Sequence, residues 1–145
     1  MVEPLAAEGL RFDQVCVGQD LPGLIEGPIV RRTLALYCGA SGDHNPIHVD
    51  IDFARSHGHE DVFVHGMLSM AYLGRLLTRW APVSALRGFR VRFTAVTRVR
   101  DVVTCSARVV EKIETESEKQ VRVELRAATA DGTQTLIGEA VLALP

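Results

Sequence analysis

The residues best suited to chemistry lie between Tyr37 and His48, in the segment YCGASGDHNPIH. Asp43 and His48 are five positions apart, and the turn-forming pair Asn45 and Pro46 lies between them. In a continuous helix, residues five apart would point about 140° away from each other. Pro46 disfavours a helical conformation at Asn45, so the chain can turn here and bring both side chains to one spot. A carboxylate and an imidazole that converge in this way form an acid-base pair.

Proton transfer or water addition suits this segment better than a covalent mechanism. Ser41 is the nearby hydroxyl, and it does not lie in the GxSxG pattern of a nucleophile elbow. Taken alone, Asp43 would be read as a cap or turn aspartate and His48 as a structural histidine. The prediction of a catalytic pair therefore depends on what lies beside them.

That neighbour is the segment Val64 to Met67, which contains the start of an apolar helix. The first N–H groups of a helix are unpaired and carry partial positive charge, so they bind anions and polarise carbonyl oxygens. Gly66 would let a substrate approach the backbone, although it could also serve packing alone. Asp43, His48 and the Gly66 N–H would together supply an acid, a base and an electrophile for proton chemistry beside a carbonyl. His65 is placed with Gly66 and Asn45 among the candidate substrate-binding residues.

The sequence predicts neither a metal site nor a cofactor. His44 and His48 have a spacing found in zinc enzymes, but that spacing requires a continuous helix, which Pro46 interrupts. His44 is assigned no role. The other three histidines are His57, His59 and His65. The three cysteines, Cys16, Cys38 and Cys105, follow no CxxC pattern. They indicate reduced thiols in a cytosolic protein, and a reactive nucleophile is the weaker alternative.

The strongest helical pattern is GMLSMAYLGRLLTRW, residues 66–80. Most of its circumference is apolar, which predicts a buried helix, and Pro82 ends it. One predicted stripe consists of Met67, Met70, Ala71, Gly74 and Leu77, and the predicted apolar surface extends further round the helix to Leu68, Leu73, Leu76 and Trp80. Two shorter helices precede it. One starts at Thr33 and is stopped by Gly39 and Gly42, and the other covers Asp50 to Ser56 and ends at Gly58.

After Pro82 the pattern changes to the alternation of β-strands. Phe89, Val91 and Phe93 alternate with arginines, and three further runs follow at 102–113, 121–130 and 135–144. These four runs predict an antiparallel meander, whereas residues 1–30 suit an irregular entry with one or two short strands. A very apolar helix followed by such a sheet predicts an α+β hot-dog fold, with the sheet wrapped around the helix in a single domain over residues 1–145.

Composition excludes several classes of protein. The 145 residues suffice for one domain but not for separate cofactor and substrate domains. Sixteen basic and eighteen acidic residues give a net charge of −2 without a basic cluster, which disfavours nucleic-acid binding. The acidic start, with Glu3 and Glu8, does not resemble a signal peptide, and no apolar run has the length of a membrane span. We therefore expect a cytoplasmic protein.

Two motifs carry a resemblance to a known family. SGDHNPIH, followed by Ala54, resembles the signature of (R)-specific enoyl-CoA hydratases, and HGMLSM at 65–70 resembles the start of the central helix in the same MaoC-like group. The likeness extends from about Gly18 to Pro145 and includes RFTAV at 92–96. Within the group, the chain looks especially similar to the β subunits of mycobacterial (3R)-hydroxyacyl-carrier-protein dehydratases.

The resemblance implies reversible hydration of trans-2-enoyl thioesters, carried by CoA or an acyl carrier protein in fatty-acid metabolism. It further implies that Asp43 and His48 are the catalytic pair, that Asn45 steadies the loop or the water, and that the Gly66 N–H polarises the thioester carbonyl. A homodimer is expected, with a heterodimer of two hot-dog chains as the alternative. Two other functions stay open: an acyl-CoA thioesterase and a non-catalytic, acyl-binding partner subunit.

The chain departs from the family pattern before its second long strand. Many members have a proline and then Gly-Asp there, where this chain has Val96 and Arg100-Asp101. Preferences for acyl chain or carrier are therefore not transferred. Arg98 and Arg100, or alternatively Arg31 and Arg32, could meet phosphates of a carrier group, although a solvated surface is the simpler interpretation.

Overall fold

The computed structural model describes residues 9–145, in which three helices and five strands carry the fold. The helices are α1 (Arg31–Ser41), α2 (Ile51–Ser56) and α3 (Gly66–Trp80). The strands are β1 (Asp20–Glu26), β2 (Leu86–Phe93), β3 (Val103–Glu114), β4 (Lys119–Thr129) and β5 (Gln134–Ala143). Residues 1–8, with the acidic start, lie outside this description, so the single domain over residues 1–145 stays a prediction.

The strands form one antiparallel sheet in the order β1-β3-β4-β5-β2. Strands β3, β4 and β5 are neighbours in sequence and in space, as a meander requires. The predicted four-strand meander is wrong at β2, which pairs with β5 through contacts such as Phe93 with Leu136. The other edge of β3 is occupied by β1, where Leu21 lies opposite Ala107. Strand β2 therefore lies at the outer edge beside β5.

Helix α3 has the predicted bounds and packs against β1, β3 and β4. Alternate residues of the two long strands turn toward the core, because successive side chains of a strand point to opposite faces. In β3 these are Val103, Cys105, Ala107 and Val109, and in β4 they are Val121, Val123, Leu125 and Ala127. The result is the expected hot-dog-like α+β fold, a five-stranded sheet with a central helix.

The buried face of α3 includes Leu77 of the predicted stripe and the four further predicted apolar residues, but not the rest of the stripe. Met67 is 53% exposed and Ala71 is exposed, so full burial of the helix is wrong for this chain. The side chains that face the core are Leu68, Ser69, Tyr72, Leu73, Leu76, Leu77 and Trp80. One sheet covers only one side of the helix, and the N-terminal turn stays accessible. Among residues 9–145, no helix combines the length and the apolarity that crossing a membrane would need.

Candidate active site

The loop with the candidate acid-base pair begins where α1 ends. Helix α1 starts at Arg31, two residues before the predicted Thr33, and Thr33 does not cap it. It also continues through Gly39, so the predicted stop there is wrong. Gly42 is the residue that ends the helix: its φ is 74°, and its N–H donates to the Cys38 carbonyl at 3.0 Å. Glycine adopts this left-handed conformation without the steric strain of other residues.

Short-range hydrogen bonds then shape the loop from Ser41 to His48. The Asp43 N–H donates to Ser41 Oγ at 3.1 Å, and Asp43 Oδ1 accepts from the Asn45 N–H at 3.3 Å. Asn45 Oδ1 in turn accepts from the Ile47 N–H at 3.1 Å and caps the 3₁₀ turn Pro46–His48. The Asn45 side-chain oxygen thus holds the loop, which leaves its amide nitrogen as the group available to a water or substrate.

Helix α2 anchors the far side of the loop. Its predicted start is confirmed, because Asp50 Oδ1 accepts from the N–H groups of Asp52 and Phe53 at 2.9 and 3.1 Å. This is the bonding of a good N-cap residue. The loop is therefore held by a glycine end at α1 and a capped start at α2, with Asp43 and His48 between them.

His48 is held in one tautomer by a backbone carbonyl. Its side chain is 8% exposed, and Nδ1 donates to the Phe63 carbonyl at 2.8 Å. Because a carbonyl only accepts, Nδ1 carries the hydrogen, and Nε2 of the neutral ring has a free lone pair. The Phe63 ring also contacts His48 edge-on, with centroids 5.0 Å apart. Nε2 is therefore the ring nitrogen of His48 that is free to accept a hydrogen bond.

The predicted convergence of Asp43 and His48 occurs, and His65 joins them. Each of the three offers one oxygen or nitrogen, and these atoms lie within 4.8 Å of one another. Asp43 is partly exposed, whereas His48 and His65 are buried. A carboxylate open to solvent beside a buried imidazole is an arrangement that can hold and deprotonate a water molecule.

His65 forms the floor of this cluster. Its ring is fully buried and stacks on His48 at a centroid distance of 4.0 Å, and Nε2 donates to the Asp43 carbonyl at 3.3 Å. Burial, followed by the charge of His48, lowers the pKa of His65 below its usual value, which favours the neutral ring. The sequence predicts His65 to be a substrate-binding residue. That assignment stays a prediction, and the contacts of the buried ring with His48 and Asp43 would also let it orient the pair.

Gly66 lies at the first position of α3, beside this cluster. Its N–H makes no backbone hydrogen bond within residues 9–145, as expected for the first turn of a helix. A Cβ atom at Gly66 would lie 3.1 Å from Cε1 of Phe93, closer than side chains normally approach. Glycine is therefore needed for the close packing of Phe93, and the same absence of a side chain leaves the N–H open to a ligand.

The cluster is a poor fit to a metal ion. In the described part of the chain, Asp43, His48 and His65 are the one group of three potential ligands that lie close together. The two imidazole planes, however, are stacked with an angle of 26° between them, which places their lone pairs side by side rather than toward a common point. Hydrogen bonds to the carbonyls of Phe63 and Asp43 hold both rings in place. The geometry suits proton transfer better than coordination.

Three aromatic residues of the site were not identified from the sequence. The ring of Tyr37 contacts the ring of His65 edge-on, with centroids 4.9 Å apart. Burial, together with the charge of Asp43, raises the pKa of the Tyr37 hydroxyl. Phe63 supplies the carbonyl for His48, and the Phe93 ring packs against Gly66. Only Tyr37 had a local signal, since it lies in the same polar segment as Asp43. The other two contacts depend on the folding of distant segments.

Known proteins resemble the chain over most of its length. The model of the MaoC-like domain family matches residues 14–131. An (R)-specific enoyl-CoA hydratase of Rhodospirillum rubrum is 30% identical over 136 residues, which are 92% of this chain and 91% of that protein.

Solved structures with the same fold include two hydratases. The unliganded R-hydratase PhaJ1 of Pseudomonas aeruginosa has a TM-score of 0.82 and 28% identity, over 94% of this chain and 86% of its own. The (R)-hydratase of A. caviae involved in PHA biosynthesis has a TM-score of 0.79 and 29% identity, over 91% of this chain and 98% of its own.

Proposed function

The chain belongs to the MaoC-like domain family, and we propose that it catalyses the reversible hydration of trans-2-enoyl thioesters to (3R)-3-hydroxyacyl thioesters. It is thus a hydro-lyase, like the (R)-specific enoyl-CoA hydratase that it resembles. The observation that carries the proposal is the approach of Asp43 and His48 to within 4.8 Å, beside the open N–H of Gly66. The R configuration is taken from the name of the relative.

In the proposed mechanism the Gly66 N–H donates to the thioester carbonyl oxygen. This donor polarises the enoyl group and stabilises the negative charge that develops on the oxygen, and one such donor is worth about 3 to 4 kcal/mol. Asp43 and the Nε2 atom of His48 hold a water molecule. As the oxygen of this water bonds to Cβ, the pair takes one proton from the water, and the pair gives one proton to Cα, so that it ends with the protons it began with. Dehydration follows the same path in reverse.

The roles of the surrounding residues follow from their hydrogen bonds. His65 stacks on His48 and donates to the Asp43 carbonyl, so it orients both members of the pair. The Asn45 side chain steadies the loop between them. CoA and acyl carrier proteins present the same thioester, and this site is proposed to act on either.

One assay distinguishes hydration from the alternatives. The purified chain is mixed with crotonyl-CoA, and enoyl absorbance, free thiol and product chirality are recorded. We expect loss of the enoyl absorbance without thiol release, and (3R)-3-hydroxybutyryl-CoA as the product. Release of CoA thiol would instead identify a thioesterase. No turnover by the isolated chain, together with co-purification of a second hot-dog chain, would indicate a non-catalytic subunit.

We propose a homodimer as the working unit. Strand β2 pairs on one side only, with β5, and apolar side chains lie exposed near it: Met67 at 53%, Phe93 at 49% and Val96 at 48%. An edge strand and an apolar patch of this kind are normally covered in solution. Sedimentation should therefore give an active species of twice the chain mass. An active monomer would contradict the proposal, and an inactive monomer would favour pairing with a paralogous chain.

A further inference from the structure

A cavity of about 290 Å³ lies between residues 59–63 and the segment 96–100. Its lining includes Phe63, whose carbonyl accepts from His48 Nδ1, together with Arg98 and Arg100. Phe63 forms a β-bridge with Arg98, and the Val64 N–H donates to the Thr97 carbonyl at 2.9 Å. Phe63 thus lies both in the cavity wall and in contact with His48 of the candidate catalytic pair.

The two arginines of this cavity have no acidic partner. Within the described 137-residue part of the chain, from 9 to 145, neither guanidinium makes a salt bridge or a side-chain hydrogen bond. Two nearby acids are already engaged: Asp61 pairs with Arg31, and Asp101 Oδ2 accepts from the Arg98 N–H at 2.7 Å. Glu60 remains as an acid of the cavity wall without such a partner.

The cavity on the outer face of β1 and β3 differs in this respect. It is larger, about 380 Å³, and its arginines are Arg108 and Arg126. Arg108 pairs with Asp20 at 2.7 Å, and Arg126 with Glu124 at 3.3 Å. The guanidinium groups there are neutralised by the protein itself, whereas those of Arg98 and Arg100 are available to an external anion.

The backbone at Arg100 supports a role for its side chain. Arg100 has a φ of 77°, and it is the one residue other than glycine with a positive φ in the described chain. Its N–H donates to the Ile29 carbonyl at 2.7 Å, which fixes this conformation. Glycine would adopt it without strain. An arginine kept in a strained position beside a cavity suggests that the guanidinium has a function.

We propose that Arg98 and Arg100 bind a phosphate group of the pantetheine carrier on which the thioester arrives. Guanidinium groups suit this ligand, because their N–H fork matches phosphate oxygens and keeps its charge at every physiological pH. The inference rests on the proposed function, since it takes the ligand to be a thioester carrier. CoA and the prosthetic group of a carrier protein share the phosphorylated pantetheine, so the chemistry is common to both sources.

The test compares KM values for crotonyl thioesters that differ only in their phosphates. The substrates are crotonyl-CoA, crotonyl-4′-phosphopantetheine and crotonyl-pantetheine, and the variants are Arg98→Gln and Arg100→Gly. For each variant we expect KM for crotonyl-CoA to rise about three- to tenfold, with kcat within twofold. KM for crotonyl-pantetheine should be unchanged. Arg100→Gly should unfold at no lower a temperature than the unmodified chain, because glycine fits the positive φ.

The control is Arg79→Gln, which removes one exposed charge near the other end of α3 and should leave all KM values unchanged. A rise for crotonyl-4′-phosphopantetheine would place the bound phosphate in the part shared by CoA and carrier proteins. A rise in KM for crotonyl-CoA alone would mean that the bound phosphate belongs to the nucleotide half of CoA. An equal rise for crotonyl-pantetheine, or no rise for crotonyl-CoA, would overturn the inference.

Failure of the proposed function has a different signature. If the unmodified chain hydrates none of the three thioesters, the hydratase proposal is wrong, and calorimetric titration with CoA decides the inference by itself. Weaker CoA binding by Arg100→Gly than by Arg79→Gln would then support a phosphate site, and equal binding would refute it.

Discussion

The two ends of helix α3 face different environments. At the C-terminal end, Leu73, Leu76, Leu77 and Trp80 are at most 1% exposed and fill the core. At the N-terminal end, Gly66 and Met67 are exposed, and two histidines and an aspartate meet beside them. One end of the helix holds the fold together, and the other presents an open N–H to a polar cluster. Substitutions at the two ends should therefore act on different observables.

The largest effect is expected at His48. Replacement by alanine removes the imidazole from the proposed acid-base pair and should lower kcat for crotonyl-CoA hydration by about 10²- to 10⁴-fold. The variant should remain folded, because the ring is replaced at a loop rather than in the sheet. Circular dichroism and thermal unfolding provide the control. Near-full activity of a folded His48→Ala variant would show that the N-terminal end of α3 is not the catalytic end.

Gly66→Ala should have the next largest effect. Its Cβ would meet the Phe93 ring at 3.1 Å and crowd the path to the backbone N–H. If this crowding keeps the thioester oxygen from the donor, kcat/KM should fall by about 10²- to 10³-fold, as measured by enoyl absorbance. Activity within twofold of the unmodified chain would remove Gly66 from the proposed mechanism.

At the other end, Leu76→Ala should act on stability instead. Leu76 is fully buried, and large-to-small changes at such sites lower the free energy of unfolding by about 2 to 5 kcal/mol. Urea unfolding at constant pH measures this loss. Below the unfolding transition, kcat should stay within a fewfold of the original value. A collapse of kcat in the folded variant would mean that the two ends of the helix are not functionally distinct.

The smallest effect is expected at Gly74, which is the matched control for Gly66. A Cβ at Gly74 would lie at an ordinary 3.6 Å from the Phe89 ring. Alanine also favours a helix interior over glycine, so Gly74→Ala should raise the free energy of unfolding by up to about 1 kcal/mol. Hydration should be unchanged. A loss of activity as large as that of Gly66→Ala would show that any alanine in α3 disturbs the site.

The two ends also differ in how far the sequence predicts them. The bounds of α3 follow from its apolar periodicity and Pro82, and the long strands follow from alternation, because both signals are local. The loop with Asp43 and His48 is likewise predicted by the turn-forming residues Gly42, Asn45 and Pro46.

What the sequence does not predict depends on distant segments. Pairing of β2 with β5, the Phe63 carbonyl beside His48, and the contact of Phe93 with Gly66 each join residues far apart in the chain. The exposure of Met67 has the same origin, since the composition of a helix does not tell how much of it one sheet will cover. The burial of His65 is also not predicted, because it depends on packing against residues such as His48, on which its ring stacks.

The most direct test of the central claim is a double-mutant cycle for Asp43 and His48 with crotonyl-CoA. If the two residues act as one unit, Asp43→Asn and His48→Ala each lower kcat/KM by at least about 10², and the double variant is about as slow as the slower single variant. All three should unfold as the unmodified chain does. Near-full activity of both single variants, or losses that simply multiply in the double variant, would contradict the proposed acid-base pair.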